Sequence, residues 1–196
     1  MTLFQAAGVV LGANIGTTIT GQLIAFKLEI LALPAIALGS AMFIFGKSEK
    51  TKLIGKVALG FGLLFFAIGL MSAPLKTLRN NDDFRNLFVK FSENPFLGLL
   101  TGIILTFIVQ SSSVTIAITM SLASSGLISF SGVVPIILGD NIGTTITAFL
   151  AGLGTTLAAR RAAIVHTLFN LFGAIIVMMI LAPYTSLICK ITPGNV

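Results

Sequence analysis

Charged residues are scarce in this 196-residue sequence. Asp, Glu, Lys and Arg together make up 9% of it, whereas hydrophobic residues make up 56% and the mean hydropathy is +1.06. A soluble domain usually carries about a quarter charged residues. So few charges could not cover a folded chain with a water-compatible surface, which excludes an ordinary soluble domain. The composition therefore predicts a membrane protein that has the lipid bilayer as its solvent.

Reactive and metal-binding side chains are equally rare. Cys189 and His166 are the single cysteine and the single histidine, so neither an internal disulfide nor a Cys/His metal site can form. No nucleophile–base arrangement is recognisable, and we predict that the protein is not an enzyme and has no organic cofactor. The net charge is +6. The basic residues lie in short gaps between apolar runs, however, so membrane topology explains them better than nucleic-acid binding.

Six apolar stretches account for most of the chain. They run roughly over 3–26, 28–46, 53–75, 96–129, 133–153 and 162–189. About 20 helical residues cross the hydrocarbon layer, so the second, third and last stretches are predicted to be ordinary spans. The fourth is too short for two crossings and a turn, and too long for one. Its polar middle consists of residues 110–115 followed by Ser121, Ser124, Ser125 and Gly126. It predicts a re-entrant hairpin of two half-helices that unwind near the serines, covered by protein or a water-filled cavity.

One polar motif occurs twice. Gly12-Ala13-Asn14-Ile15-Gly16-Thr17-Thr18 returns 127 residues later as Gly139-Asp140-Asn141-Ile142-Gly143-Thr144-Thr145. Gly, Asn and Thr interrupt an apolar span in both copies, which predicts two broken helices. Counting the crossings between them places the copies in opposite directions, an inverted repeat typical of secondary transporters. The alternative is that Gly and Thr only pack helices together. Asn14 and Asn141 weigh against that alternative, because a carboxamide at membrane depth needs partners.

The inverted repeat divides the chain into three parts. Residues 1–75 are predicted to form a partial first repeat, with a broken helix and two spans. Residues 76–95 form an interfacial connector, and residues 96–196 form a second repeat with the hairpin, a broken helix and the last span. Lysines in the loop 47–52 place that loop in the cytoplasm by the positive-inside rule. The predicted fold class is an all-α polytopic protein, an inverted-repeat transporter of the cell (plasma or inner) membrane.

Polar groups inside the apolar segments predict an ion site. Unwound carbonyls together with Thr and Asn oxygens suit sodium, while half-helix N-termini suit an oxyanion. Asp140 is the only acid well inside an apolar segment, which predicts a cation ligand or a proton-linked group. The alternative is that Asp140 caps a half-helix. His166 and Asn170 predict an interhelical hydrogen-bond pair, and the glycine-rich stretch 60–69 predicts a close-packing face.

These features in combination resemble a known family. Gln110-Ser111-Ser112-Ser113, the paired motifs and Ala159-Arg160-Arg161-Ala162 followed by His166-Thr167-Leu168-Phe169-Asn170 are similar to the type II sodium/phosphate cotransporters, particularly the bacterial ones. The resemblance implies inverted repeats and sodium-coupled transport of inorganic phosphate by alternating access. It implies that phosphate is held by Gln110, Ser111, Ser112 and Ser113. The sodium ligands expected from it, besides Asp140, are Thr115, Asn141, Thr144 and Thr145, with Asn14, Thr17 and Thr18 from the first copy.

The sequence departs from that family in one respect. The family has a Gln-Ser-Ser-Ser hairpin in each repeat, and this sequence has one. The repeat offset places the second hairpin at about position −17, and Gln5 is no substitute because no serine run follows it. The sequence therefore resembles a family member that lacks the N-terminal hairpin and the helix before it: a truncated reading frame, a fragment of a larger chain, or a subunit for which a homo-oligomer or a partner chain supplies that hairpin. A non-transporting truncated membrane subunit and a carrier or channel for another small oxyanion remain the alternatives.

Overall fold

The computed structural model describes residues 2–26, 28–79, 83, 86 and 94–192. Every secondary-structure element within them is helical, which confirms the predicted all-α class. A short 3₁₀-helix, Leu28–Leu31, precedes the second α-helix. In chain order the α-helices are α1 (Leu3–Ala25), α2 (Ala32–Phe45), α3 (Glu49–Arg79), α4 (Pro95–Val109), α5 (Ser112–Ser124), α6 (Phe130–Gly152), α7 (Leu157–Met179) and α8 (Leu181–Ile191).

Long apolar helices make this chain a multi-pass membrane protein. Among the described residues, five segments are long and apolar enough to cross a membrane: Leu3–Ala25, Leu28–Phe45, Glu49–Leu70, Phe130–Gly152 and Leu157–Met179. Large apolar side chains on them face outward, as in lipid-facing helices; Phe4 is 89% exposed and Met179 is 81% exposed. The helices α4 and α5 have 15 and 13 residues. At 1.5 Å per residue each is shorter than the roughly 30 Å of the hydrocarbon layer.

The helices α1 and α6 run unbroken through the two copies of the motif, so the prediction of broken helices is wrong. The reason is that the motif threonines donate their hydroxyl protons to carbonyls of their own helix. A hydroxyl that bonds a carbonyl about one turn earlier is satisfied without unwinding the backbone. These bonds join Thr17 to Ala13, Thr18 to Ile15, Thr144 to Asp140 and Thr145 to Ile142, over 2.6–2.9 Å.

The break in the chain lies instead in the fourth apolar stretch, where the sequence predicts a hairpin. Gln110 ends α4 in a left-handed conformation with φ of 56°, and Ser111 is extended. The Oγ1 atoms of Thr106 and Thr115 are 3.0 Å apart. In one straight helix nine residues would separate them by about 13 Å. The chain therefore folds back here, and the predicted unwinding beside the serines is confirmed; its insertion into the membrane as a re-entrant hairpin stays a prediction.

The end of the chain differs from the predicted single span over 162–189. Two helices, α7 and α8, meet at Ile180. Pro183 lies in the first turn of α8 and has no N–H to donate to the carbonyl of Met179, which favours ending α7 there. The predicted connector 76–95 falls mostly on residues outside the described ones; α3 extends into its beginning, to Arg79.

Glycines bring the helices α2 and α3 into close contact. A Cβ atom placed on Gly55 would lie 2.6 Å from the backbone nitrogen of Phe43, and one on Gly62 would lie 2.7 Å from that of Ile36. Membrane helices gain van der Waals contact when small residues allow their backbones to approach. The close-packing face predicted for residues 60–69 is thus confirmed at Gly62.

The helix α5 connects the two halves of the chain, because it packs against α1, α3 and α6. One buried cluster joins Ile116 and Ala117 of α5 with Ile24 of α1 and Ile68 of α3. A second cluster follows the end of α5, from Leu127 to Ile136 in α6. The hairpin is therefore held between the helices that carry the two motif copies.

We expect Gly62→Ala to lower the melting temperature of the purified protein and Gly60→Ala not to lower it. A methyl group at position 62 would press on the backbone of α2, whereas nothing lies within 4 Å of a Cβ atom at position 60. Overpacking costs about 1–3 kcal/mol, and Ala in place of Gly stabilises a helix by about 1 kcal/mol. Thermal unfolding followed by circular dichroism compares the two variants. Equal melting temperatures would contradict the packing described here.

Candidate functional site

Asp140 is the centre of a buried polar cluster of three residues. Its side chain is 0% exposed, and Thr106 and Thr115 are 1% exposed. Thr106 Oγ1 lies 2.6 Å from Asp140 Oδ1 and 3.0 Å from Thr115 Oγ1. The three residues belong to α6, α4 and α5, so the cluster joins both arms of the hairpin to the helix of the second motif. The alternative that Asp140 caps a half-helix is wrong, because Asp140 lies inside the continuous α6.

Motif glycines position this cluster by letting α4 and α6 touch backbone to backbone. A Cβ atom on Gly102 would lie 2.9 Å from the nitrogen of Asp140, and one on Gly143 would lie 2.8 Å from Cβ of Thr106. Gly139 similarly meets the backbone of Leu99. Because no side chain separates the two helices at this height, the short hydroxyl of Thr106 can reach the carboxylate. The packing alternative for the motif is therefore correct for Gly139 and Gly143, and it serves a polar contact.

The turn between the hairpin arms carries the predicted phosphate-binding residues. Gln110 is exposed and Ser111, Ser112 and Ser113 are half-buried. Ser111 is the N-cap residue of α5, and its side chain makes no capping hydrogen bond. The first N–H groups of a helix have no partner within the helix, and they carry a positive partial charge. The turn thus presents one carboxamide, three hydroxyls and free backbone N–H groups, all of which can donate to an oxyanion.

The second carboxylate oxygen of Asp140, Oδ2, is buried and has no hydrogen-bond partner among the described residues. A buried charged oxygen without a partner is costly, and in a membrane such a group pairs with a cation or holds a proton. The other carboxylate oxygen, Oδ1, bonds the hydroxyl of Thr106, and the hydroxyl of Thr115 lies next to that of Thr106. An oxygen-only cluster with one negative charge has the chemistry that a hard cation such as sodium prefers. The three residues therefore fit a cation.

The structure does not bring the other predicted sodium ligands of α6 into this cluster. The hydroxyls of Thr144 and Thr145 are engaged with carbonyls of their own helix, although Thr145 is 1% exposed. The Asn141 side chain is half-buried and forms no hydrogen bond with any residue that the structure describes. Of the predicted sodium ligands, Asp140 and Thr115 are thus the two that the fold brings together.

The first copy of the motif makes a different contact. Asn14 Nδ2 donates to Asn170 Oδ1 over 3.0 Å, which joins α1 to α7. Asn170 in turn donates to the backbone carbonyl of His166 over 3.2 Å. The predicted interhelical hydrogen bond is confirmed for Asn170, with Asn14 as its partner; it is wrong for His166, which accepts through its backbone carbonyl within α7 and bonds no described residue of another helix. Thr17 and Thr18 bond their own helix and join no cation cluster in the part of the chain that the structure describes.

Sequence reasoning missed Thr106, the residue that connects the hairpin to Asp140. A signal was present, because Thr106 follows Gly98 and Gly102 at four-residue intervals and therefore shares their helix face. The three residues are the buried ones of α4. A lone threonine in an apolar run is common, however, and only the position of α6 shows what this one contacts.

Two stretches of the chain, residues 1–73 and 70–191, match the sequence profile of the family described as Na+/Pi-cotransporter. The chain belongs to this family. The two matches each contain one copy of the motif, so the resemblance to sodium/phosphate cotransporters is confirmed over almost the whole chain. The family is one of transporters, which agrees with the prediction that the protein is not an enzyme.

Relatives within the curated proteins share different lengths of the chain. YqeW of Bacillus subtilis, an uncharacterised protein, is 33% identical over 187 residues, 94% of this chain and 60% of that protein. YjbB of Escherichia coli K12, described as a candidate inorganic phosphate export protein, is 28% identical over 91% of this chain and 33% of that protein. Sodium-dependent phosphate transport protein 2A of Rattus norvegicus is 42% identical over 91 residues, 43% of this chain and 14% of that protein. The chain spans 60% or less of the length of each. No solved structure shows significant similarity to it.

We expect Asn14→Ala and Asn170→Ala each to lower the melting temperature in sodium-free buffer. Both variants remove the same interhelical hydrogen bond, so the double variant should lose less stability than the sum of the single losses. Such bonds contribute about 0.6 kcal/mol in membranes, and up to about 1.7 kcal/mol. Asn141→Ala is the matched control, because Asn141 holds the equivalent place in the second copy without that bond. Additive losses would show that the bond between α1 and α7 does not form.

Proposed function

We propose that this protein carries inorganic phosphate across the membrane with sodium as the coupling ion. The observation that carries the proposal is the hydrogen-bonded cluster of Asp140, Thr106 and Thr115 directly behind the Gln-Ser-Ser-Ser turn. Two residues of the proposed cation site, Thr106 and Thr115, lie on the hairpin about one helical turn from the proposed phosphate-binding turn, and Asp140 contacts Thr106 from α6. Each ion would offset the charge of the other, which favours their binding together.

Phosphate binding is proposed for the turn, at Gln110 and the three serines that follow. The side-chain carboxamide of Gln110 and the hydroxyls of Ser112 and Ser113 have no hydrogen-bond partner among the described residues. Together with the N–H groups at the start of α5 they provide donors for several phosphate oxygens. Helix N-termini bind phosphate in this way because their N–H groups and dipole both favour negative charge.

Sodium binding is proposed for Asp140, with Thr106 and Thr115 beside it. Asn141, Thr144 and Thr145 follow on the same helix and would join only if their side chains turned from their present positions. Asn14, Thr17 and Thr18 of α1 would belong to the equivalent site of the other half. The inverted repeat predicted from the two motif copies would suit alternating access, in which one half moves against the other around a fixed site.

Transport is tested by reconstituting the protein, together with any chain that copurifies with it from native membranes, into liposomes and following radioactive phosphate under an imposed sodium gradient. Because relatives are named for phosphate export and for sodium-dependent phosphate transport, both gradient directions are needed. We expect flux that requires sodium and that excess sulfate does not suppress. Flux without sodium, or suppression by sulfate, would favour a carrier or channel for another oxyanion. The complete absence of sodium-dependent phosphate binding and flux would refute the proposal.

We expect Asp140→Asn to raise the sodium concentration for half-maximal phosphate binding by about tenfold or more. The variant keeps the size and the acceptor oxygen for Thr106 but removes the charge, and charged hydrogen-bonding groups contribute about 1.5–3 kcal/mol. Glu49→Gln makes the same chemical change at a carboxylate that is 86% exposed and should leave sodium dependence unchanged. Sodium titration of phosphate binding compares the variants. Unchanged sodium dependence in Asp140→Asn would show that Asp140 is not a cation ligand.

A further helix, from a second chain or from a longer chain that contains these residues, is proposed to complete the site on the side of α1. Gly12 and Gly16 correspond to Gly139 and Gly143, which receive α4 in the second half. Around α1, nothing described lies within 4 Å of a Cβ atom at Gly12 or Gly16. The same motif face is thus filled by a glycine-bearing helix in one half and open in the other. A partner helix of the α4 type, with its own Gln-Ser-Ser-Ser turn, fits that face.

We expect Gly16→Leu to abolish association with the partner without lowering the melting temperature of the isolated chain. The added side chain meets nothing within the chain, but it would fill the face that the partner helix needs. Gly143→Leu at the equivalent position should instead destabilise the chain itself, because α4 lies there. Native mass spectrometry of material from native membranes reports the complex, and its mass separates a homo-oligomer from a distinct partner. A monomer in the wild type would argue for a non-transporting subunit.

A further inference from the structure

We propose that Thr106 is a positioning residue that transmits the state of Asp140 to the Gln-Ser-Ser-Ser turn, an inference that rests on the proposed function. Thr106 belongs to neither motif and is not itself placed against phosphate. Among the residues that the structure describes, Thr106 is the one whose side chain connects the carboxylate of Asp140 to the hairpin.

Hydrogen bonds connect Asp140 to both ends of the turn through Thr106. On the α4 side, the backbone carbonyl of Thr106 accepts from the N–H of Gln110 over 2.7 Å. On the α5 side, Thr106 Oγ1 lies 3.0 Å from Thr115 Oγ1, and Thr115 N–H donates to the carbonyl of Ser111 over 3.1 Å. A shift of Thr106 toward or away from Asp140 would therefore move the backbones of Gln110 and Ser111 together.

The side chain of Thr106 joins the carboxylate to the second arm of the hairpin. Its Oγ1 atom lies 2.6 Å from Asp140 Oδ1 and 3.0 Å from Thr115 Oγ1. The hydroxyl of Thr115 lies 3.3 Å from the carbonyl of Ser111, to which it can donate. A cation that moves the carboxylate of Asp140 therefore acts on the turn through Thr106 and Thr115.

The turn itself is in a conformation that needs external support. Gln110 is the non-glycine residue with positive φ among the residues that the structure describes. Left-handed backbone is unfavourable for such a side chain and persists where the surroundings impose it. The bond from Gln110 N–H to Thr106 supplies part of that support. Burial of Thr106, Thr115 and Asp140 excludes water from these bonds, which strengthens them.

The test compares how strongly sodium changes phosphate affinity in four forms of the protein. Binding of radioactive phosphate is measured in lipid nanodiscs without sodium and at saturating sodium, and the ratio of the two dissociation constants is the readout. Coupling between two sites typically changes affinity by about 5–150-fold. We expect wild type and Thr106→Ser to show such a ratio, and Thr106→Val to fall at least fivefold below it. Valine has the shape of threonine but cannot donate or accept.

Thr119→Val is the matched control, because Thr119 is also 1% exposed, one turn further along α5, and bonds only its own helix through Thr115 O. It should keep the wild-type ratio. The rise in melting temperature that sodium causes is also measured, in the absence of phosphate. It reports binding at the cation site alone. Thr106→Val should retain a rise while losing the ratio. If Thr106→Val does not fold, Thr115→Val breaks the same chain one bond later and should lose the ratio at saturating sodium.

A wild-type ratio in Thr106→Val, or in Thr115→Val where that variant replaces it, would overturn the role of Thr106 and leave the proposed function standing. An equal loss in Thr119→Val would overturn it too, since the effect would then follow from packing. A wild type whose phosphate affinity ignores sodium would refute the proposed function and this inference together.

Discussion

The contact between the backbones of α4 and α6 is the constraint on which the rest of the site depends. Gly102 packs against the backbone of Asp140, and Gly143 packs against the side chain of Thr106. A side chain at these positions would push the helices apart and move the hydroxyl of Thr106 away from the carboxylate. The hydrogen bond of 2.6 Å between Thr106 and Asp140 would then be lost, and with it the link from the second motif to the hairpin.

That constraint explains why a carboxylate can lie fully buried in a membrane helix. Among the described residues, Asp140 has one hydroxyl partner and one carboxylate oxygen without a partner, an arrangement that costs free energy unless a cation or proton occupies it. A structural role alone would be served better by an apolar residue. Burial also places the cluster where electrostatic attraction is strong, because the surrounding protein and lipid have a low dielectric constant. Burial of the Asp140 carboxylate thus accounts both for its free-energy cost and for the strong cation attraction that its proposed role uses.

The two copies of the motif have similar sequences but different structural surroundings. Asn14 bonds Asn170 across helices, whereas the equivalent Asn141 bonds no described residue. Gly143 is pressed against α4, while the Cβ position of the equivalent Gly16 is open. Both helices form without a break because their threonines bond their own backbones. The motif therefore forms a helix face against which another helix can pack closely. The residues that cover that face differ between the two halves.

The sequence by itself determined the membrane environment, the all-α class, a break near the serines of the fourth apolar stretch, a packing face within residues 60–69 and the family. These follow from composition and from local patterns, which act over a few residues. Tertiary structure alone decided that the motif helices stay continuous, that Asn14 pairs with Asn170, and that Asp140 meets Thr106 and Thr115 rather than Thr144 and Thr145. Those outcomes depend on which helices touch and at what height. Glycine spacing shows that a close contact exists, but only the fold shows which helix fills it.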